Sequence, residues 1–134
     1  MYLLDTNIWL ERLLGQEHSE DVGEFLSKID SSQLFITDFS FHSVCLILTQ
    51  LKRPQSAIDF VHDLFVKGRV GLLSVRPAEM ESLIGLMEKF NLNFDDAYQY
   101  LVAERQDLEL VSFDSDFVHT ARGRKTPAEV LKHL

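Results

Sequence analysis

The sequence predicts an α/β domain, a central parallel β-sheet of about four to five strands flanked by helices, and three observations carry that expectation. Short apolar runs alternate with longer amphipathic stretches, the pattern of strands joined by crossover helices. The chain has 134 residues, 46% of them apolar and ten of them Phe, enough to fill the core of one domain spanning residues 1–134. No internal repeat, low-complexity tract or linker breaks the pattern.

The elements follow in order. Residues 2–4 read as the first strand and residues 7–14 and 20–29 as two helices. Residues 34–36 form the second strand, and helices are expected over 39–51 and 57–67, separated by Pro54. The run 70–75 is the third strand. Pro77 suits the first position of a helix running to residue 90, and a further helix covers 95–106. Residues 109–112 are the last strand, and Thr126-Pro127-Ala128-Glu129 has the form of a capping box before a short terminal helix.

Composition narrows the function classes. A formal charge of -8 argues against a protein that grips nucleic acid mainly through a basic surface, although acids gathered at a metal site count towards that total without repelling a substrate once the ion is bound. The one cysteine, Cys45, lies in an apolar run and reads as a small buried hydrophobe, which excludes a disulfide framework or a zinc knuckle. The N-terminus has no signal-peptide pattern and no run approaches a membrane span, so a soluble, cytoplasmic setting is expected. None of the five His residues has HExxH spacing, and GxGxxG and phosphate-loop signatures are absent.

The acids are the informative residues. Asp5 ends the first apolar run, Asp95 and Asp96 open a late helix, and Asp114 and Asp116 follow the last strand. Ligands of open α/β sheets bind outside the carboxyl ends of the strands, and these acids would share that edge. Convergent carboxylates repel unless a hard divalent cation lies between them, and an oxygen-rich site suits Mg²⁺ or Mn²⁺. Each acid also has a plainer reading: Asp5 as a helix N-cap, Asp95 and Asp96 as partners of a helix dipole, Asp114 and Asp116 as turn residues.

Leu3-Leu4-Asp5-Thr6-Asn7, Asp95-Asp96-Ala97 and the segment from Leu110 to Phe117 resemble, in order and spacing, the motifs of the PIN-domain nucleases, and within them the VapC-type toxins of toxin–antitoxin pairs. The resemblance spans nearly the whole chain. It implies a Mg²⁺- or Mn²⁺-dependent endoribonuclease with Asp5, Asp96, Asp114 and Asp116 as catalytic, metal-binding carboxylates and Asn7 and Ser112 as supporting polar groups. It also implies an RNA substrate, an antitoxin protein whose basic tail occupies the acidic groove, and a homodimer joined through helices.

One departure stands out. The family usually carries a Glu early in the helix after the second strand, and the alignment puts Ser43 there. A hydroxyl cannot replace that charge. Two compensations are conceivable: Asp38 reaching inward from the helix start, or His42 donating a nitrogen, although neighbours on a helix point about 100° apart. The alternative function is a degenerate PIN-like module that binds RNA or protein without cleaving. Arg122, Arg124 and Lys125 form the densest basic patch and could contact RNA phosphates or simply be a solvated loop. Arg12 is expected near Asp5, and Trp9 could stack a base but suits a core or interface better.

Overall fold

In the computed structural model, which describes all 134 residues, β1 is Tyr2–Leu4, β2 Leu34–Thr37, β3 Gly71–Leu73 and β4 Glu109–Val111. The helices are α1 Thr6–Leu13, α2 Ser19–Lys28, α3 Asp38–Gln50, α4 Pro54–His62, α5 Met80–Phe90, α6 Phe94–Gln106 and α7 Pro127–Lys132. The four strands form one parallel sheet in the order β3-β2-β1-β4.

Side-chain alternation along the strands divides the core in two. Leu4, Leu34, Ile36 and Val111 pack with Ile8, Phe25, Val44, Phe60 and other residues of the helices on one face. Leu3 and Leu110 join Leu83, Tyr100 and Val102 of α5 and α6 on the other, with Phe35 packed against them. Both faces are therefore covered, which explains why the strands read as continuous apolar runs. The chain passes from β1 through β2 to β3 along one direction of the sheet, then returns by α5 and α6 to place β4 on the far side of β1. The strand order reverses between β1 and β4, and a crevice at such a point, outside the carboxyl ends, is where open sheets bind ligands.

Four strands fall within the four to five expected, and two boundaries needed adjustment. The third strand is shorter than residues 70–75 and lies at the sheet edge, where Phe35 stands beside Gly71; a Cβ at Gly71 would come within 2.5 Å of the Phe35 ring. Pro54 divides α3 from α4 as expected, but α4 begins at Pro54 rather than residue 57 and passes at Asp63–Lys67 into a π-helical turn. No fifth strand forms. Instead a single parallel bridge joins Val111 to Lys125, with the Ser112 and Lys125 amides donating to the Lys125 and Leu110 carbonyls, so the β4 edge is partly covered. The capping box at Thr126 and Glu129 is present, and Cys45 is a half-buried free thiol packed on the core. No helix is long and apolar enough to cross a membrane.

Candidate metal centre

A cleft of about 350 Å³ opens at the switch point, lined among others by Asp5, Asn7, Ser43, Asp95, Asp96 and Asp114. Asp5 leaves β1 in extended conformation and caps α1, its Oδ1 accepting from the Thr6 amide at 2.8 Å. The capping reading is thus correct, and it does not exhaust the residue. Oδ1 also accepts from Gln99 Nε2 at 2.9 Å, and Oδ2 accepts from the Ser112 hydroxyl at 2.7 Å. Burial nevertheless raises the Asp5 pKa above its ordinary value against these three hydrogen bonds, and the charge of Asp114 adds to the rise.

Asp96 is in a harsher setting. Asn93 caps α6 by accepting from the Asp96 amide at 2.9 Å, which fixes the carboxylate in the first turn facing the crevice. The residue is 6% exposed, and its Oδ2 has no hydrogen-bond partner. Burial first, then the charges of Asp114, Asp5, Asp116 and Asp95, push its pKa up to about 7. A buried unpaired carboxylate oxygen is costly, and capping geometry gives this one no donor.

The segment after β4 closes the cluster. Asp114 Oδ1 accepts from the Asp116 amide at 2.8 Å in a turn of 3₁₀ helix, Ser115–Phe117, so the turn reading also holds. That same turn brings one oxygen each of Asp96, Asp114 and Asp116 within 4.8 Å of one another. Oxygens bound to one divalent ion at 2.0–2.6 Å lie at most about 5 Å apart, so this spacing fits a single cation. Asn7 and Ser112 join the two strands: Asn7 Nδ2 donates to Ser112 Oγ at 3.2 Å, and the Phe113 amide donates to Asn7 Oδ1 at 3.2 Å. Ser112 Oγ accepts from the Asp114 amide as well, at 3.0 Å.

The remaining predicted residues fall in different places. Ser43 lines the cleft from α3, at the position where the resemblance expects a Glu. Neither proposed compensator does. Asp38 accepts from its neighbour's amide, Phe39, at 2.8 Å and from the Tyr98 hydroxyl at 2.6 Å, and His42 packs its ring against Phe41. Arg12 is not beside Asp5: it is two residues beyond Leu10, which lines the cleft, and about 200° round the helix, so its guanidinium covers Gly23 in a groove shared with Trp9 and Phe60. Trp9 is buried, edge-to-face with Phe60. Arg122 pairs with Asp107 and the Leu108 carbonyl, Arg124 with Glu129 and the Asp114 carbonyl, and Lys125 with Glu109.

Gln99 is the residue the sequence reading missed. It is 2% exposed; besides Asp5, its amide reaches Ser40 Oγ, while its Oε1 accepts from Thr37 Oγ1 at 2.9 Å. Ser40 Oγ in turn shares a hydrogen bond of 2.8 Å with Thr6 Oγ1. A signal was present: Gln99 sits three residues past Asp96, hence on the same helix face, inside an apolar stretch where a polar amide needs partners.

Comparison with known proteins agrees with this architecture. A family model described as PIN domain matches residues 2–123. No curated relative matches the chain in sequence. Three solved structures share the fold: a toxin–antitoxin complex from Klebsiella pneumoniae, at 19% identity over 95% of this chain and 98% of that one, with a TM-score of 0.76; VapC20 of Mycobacterium tuberculosis, a sarcin-ricin loop cleaving toxin, at 13% identity over 91% and 96%, TM-score 0.76; and FitAcB from Neisseria gonorrhoeae, at 19% identity over 96% and 99%, TM-score 0.72. With the family match covering all four strands and the four acids at the switch point, the chain belongs to the PIN-domain family.

Proposed function

We propose that this protein is a divalent-metal-dependent endoribonuclease that hydrolyses RNA phosphodiester bonds, acting as the toxin of a toxin–antitoxin pair with Mg²⁺ or Mn²⁺. Two observations carry the reading: the buried Oδ2 of Asp96 has no hydrogen-bond partner, and one carboxylate oxygen of Asp96 lies within 4.8 Å of oxygens of Asp114 and Asp116. A buried carboxylate with an unpartnered oxygen, in a group of acids, fits a cation better than any protein group nearby.

Asp96, Asp114 and Asp116 would hold the ion; Asp5 is outside that close group of oxygens but lines the same cleft, and would add its charge beside them. A bound divalent ion supplies an acidified water and neutralises charge on the phosphate. The chain's own groups prepare for this. Ser112 and Asn7 fix Asp5 relative to the Asp114 turn, and the Asn93 cap fixes Asp96. Burial and the neighbouring carboxylates raise the Asp96 pKa to about 7, so Asp96 holds its proton into the neutral range, and a cation would compete with that proton, making metal affinity rise with pH through this range.

The acidic chain suits a partner with a basic segment, as an antitoxin tail would supply. Leu46 of α3, Leu51 just after it and Ile58 of α4 are each at least half exposed, and exposed apolar side chains on helices support a homodimer joined through helices. Arg122, Arg124 and Lys125 keep a minor role as RNA phosphate contacts, since each already faces an internal acceptor.

The test is cleavage of a mixed-sequence RNA with Mn²⁺ or Mg²⁺, beside EDTA and the Asp96→Asn variant. Cutting is expected only with metal and Asp96, the variant losing more than about 100-fold. Ser43 in the cleft wall favours a second reading, a module that binds RNA or protein without cutting it. Folded protein that binds RNA but leaves it intact with either metal would establish that reading and end the first.

A further inference from the structure

We infer that Gln99 is a positioning residue for the proposed metal centre: its buried side-chain amide locks Oδ1 of Asp5 and leaves the free lone pair of that carboxylate on Oδ2. The inference rests on the metal-centre reading above and adds to it which oxygen of Asp5 keeps a free lone pair.

A carboxylate oxygen has two in-plane lone pairs. Oδ1 of Asp5 uses both, one for the Thr6 amide at 2.8 Å and one for Gln99 Nε2 at 2.9 Å. Oδ2 accepts only the Ser112 hydroxyl, at 2.7 Å, so one lone pair remains free. The asymmetry is enforced by the amide's other bonds. Oδ1 of the ionised Asp5 can only accept, so the Gln99 atom facing it is Nε2, and Gln99 Oε1 is left to accept from Thr37 Oγ1, whose oxygen accepts from the Ser40 amide at 3.0 Å. That fixes which end of the amide is oxygen. Nε2 is then left with two protons, one for Asp5 and one for Ser40 Oγ.

The residue's place in the fold makes the network stiff. Gln99 comes from α6 and bonds directly to Thr37 at the end of β2, Ser40 of α3 and Asp5, the N-cap of α1, while Thr6 at the start of α1 joins through Ser40, so the network ties together the four elements whose ends form the cleft. Partners that orient metal ligands from behind typically change metal affinity by about 10–100-fold when removed. Gln99 also gives a neutral donor to the α3 side of Asp5, where a second carboxylate would repel it. The network thereby suits a site whose α3 residue is Ser43 rather than an acid.

The experiment is Mn²⁺ titration by electron paramagnetic resonance on the unmodified protein, Asp96→Asn, Gln99→Met and Tyr98→Phe, with circular dichroism to establish folding. Met matches the length of Gln and donates nothing. Tyr98→Phe removes a neighbouring buried hydroxyl whose partners, Asp38 and the Val75 amide, lie outside the cleft. Gln99→Met should weaken Mn²⁺ binding about tenfold or more, while Tyr98→Phe stays within about twofold of the unmodified protein. Folded Gln99→Met with unchanged affinity overturns the inference. If Gln99→Met does not fold, nuclear magnetic resonance of the unmodified protein decides: the Gln99 side-chain amide protons should exchange slowly and shift on Mg²⁺ titration, and fast exchange or no shift overturns it. Unmodified protein that binds no Mn²⁺, or Asp96→Asn that still binds it, removes the metal-centre reading itself and the inference with it.

Discussion

The two walls of the cleft treat their polar groups in opposite ways. On the wall built from β2 and α3, Thr37 and Ser40 are satisfied together with Gln99, which reaches them from α6, and Ser43 adds only a hydroxyl. On the wall built from the first turn of α6 and the segment after β4, Asp95, Asp96, Asp114 and Asp116 crowd together, and one oxygen has no partner at all. Asp5 stands between, with Oδ1 in the first network and Oδ2 tied to the second through Ser112. A closed network rigidifies, whereas an open one is an invitation to a ligand. The difference teaches that satisfaction, more than burial, marks the functional half of the site, since Asp5 and Asp96 are about equally buried.

The largest break in that contrast comes from Asp96→Asn, which removes a charge from the acidic wall. In EDTA the variant should be the more stable protein at high pH. Asp96 titrates near 7 when folded and near its ordinary 3.8 when unfolded, so between those values the folded state binds more protons and stability falls as pH rises. The burden is absent below about pH 4 and complete above about pH 7, and Asp5 is shifted in the same direction. Thermal melts at pH 4 and pH 8 should therefore show no gain for the variant at the lower pH and a clear gain in Tm at the higher. Mn²⁺ should reverse the order, because only the unmodified site binds it. A Tm difference that ignores both pH and metal would mean the acidic wall is an ordinary solvated surface.

Much of this arrangement was legible in the sequence, for identifiable reasons. The strands were visible because both sheet faces are covered, which gives an unbroken apolar run at residues 2–4 and the apolar pair Leu110-Val111 within 109–112. The acids were visible because a carboxylate directly after a buried strand has few plain explanations. Two kinds of feature escaped. Side-chain direction on short helices was one: Arg12 turned away from Asp5 because α1 brings Asn7 and Leu10, not Arg12, to the cleft. Long-range pairing was the other. Nothing near Gln99 in sequence names Thr37, Ser40 or Asp5 as its partners, and nothing near Asp38 announces that Tyr98 occupies it.

A smaller effect is expected from placing an acid on the neutral wall. Ser43→Glu adds a carboxylate facing the cleft, and its sign depends on the metal. Without an ion it faces four other acids, so the metal-free protein should melt lower. With Mn²⁺ it is a further hard oxygen ligand, and affinity should rise about tenfold, equivalent to about 1.4 kcal/mol. The gap between the melting temperatures with Mn²⁺ and with EDTA is the measurement. A gap no wider than that of the unmodified protein would show that residue 43 cannot reach the ion, and the missing Glu would then be irrelevant to the site.

The smallest effect should come from Asp38→Asn, and its smallness is what makes it useful. Asp38 is the one acid of α3, at the very start of the helix, and reaching into the cleft would make it the natural stand-in for the absent Glu. Its Oδ1 is instead used twice, by the Phe39 amide and the Tyr98 hydroxyl, and the hydroxyl accepts in turn from the Val75 amide. That chain holds α3, α6 and the segment after β3 together. Burial and the bond to Asp38 raise the Tyr98 pKa to about 12, so the hydroxyl remains a donor at any ordinary pH. An Asn side chain offers the same acceptor oxygen, so the variant should stay within about 1 kcal/mol of the unmodified protein in stability. Mn²⁺ affinity should change by less than about twofold, because the charge removed does not face the ion. A tenfold loss would instead place Asp38 among the ligands and make the α3 wall an acidic one after all.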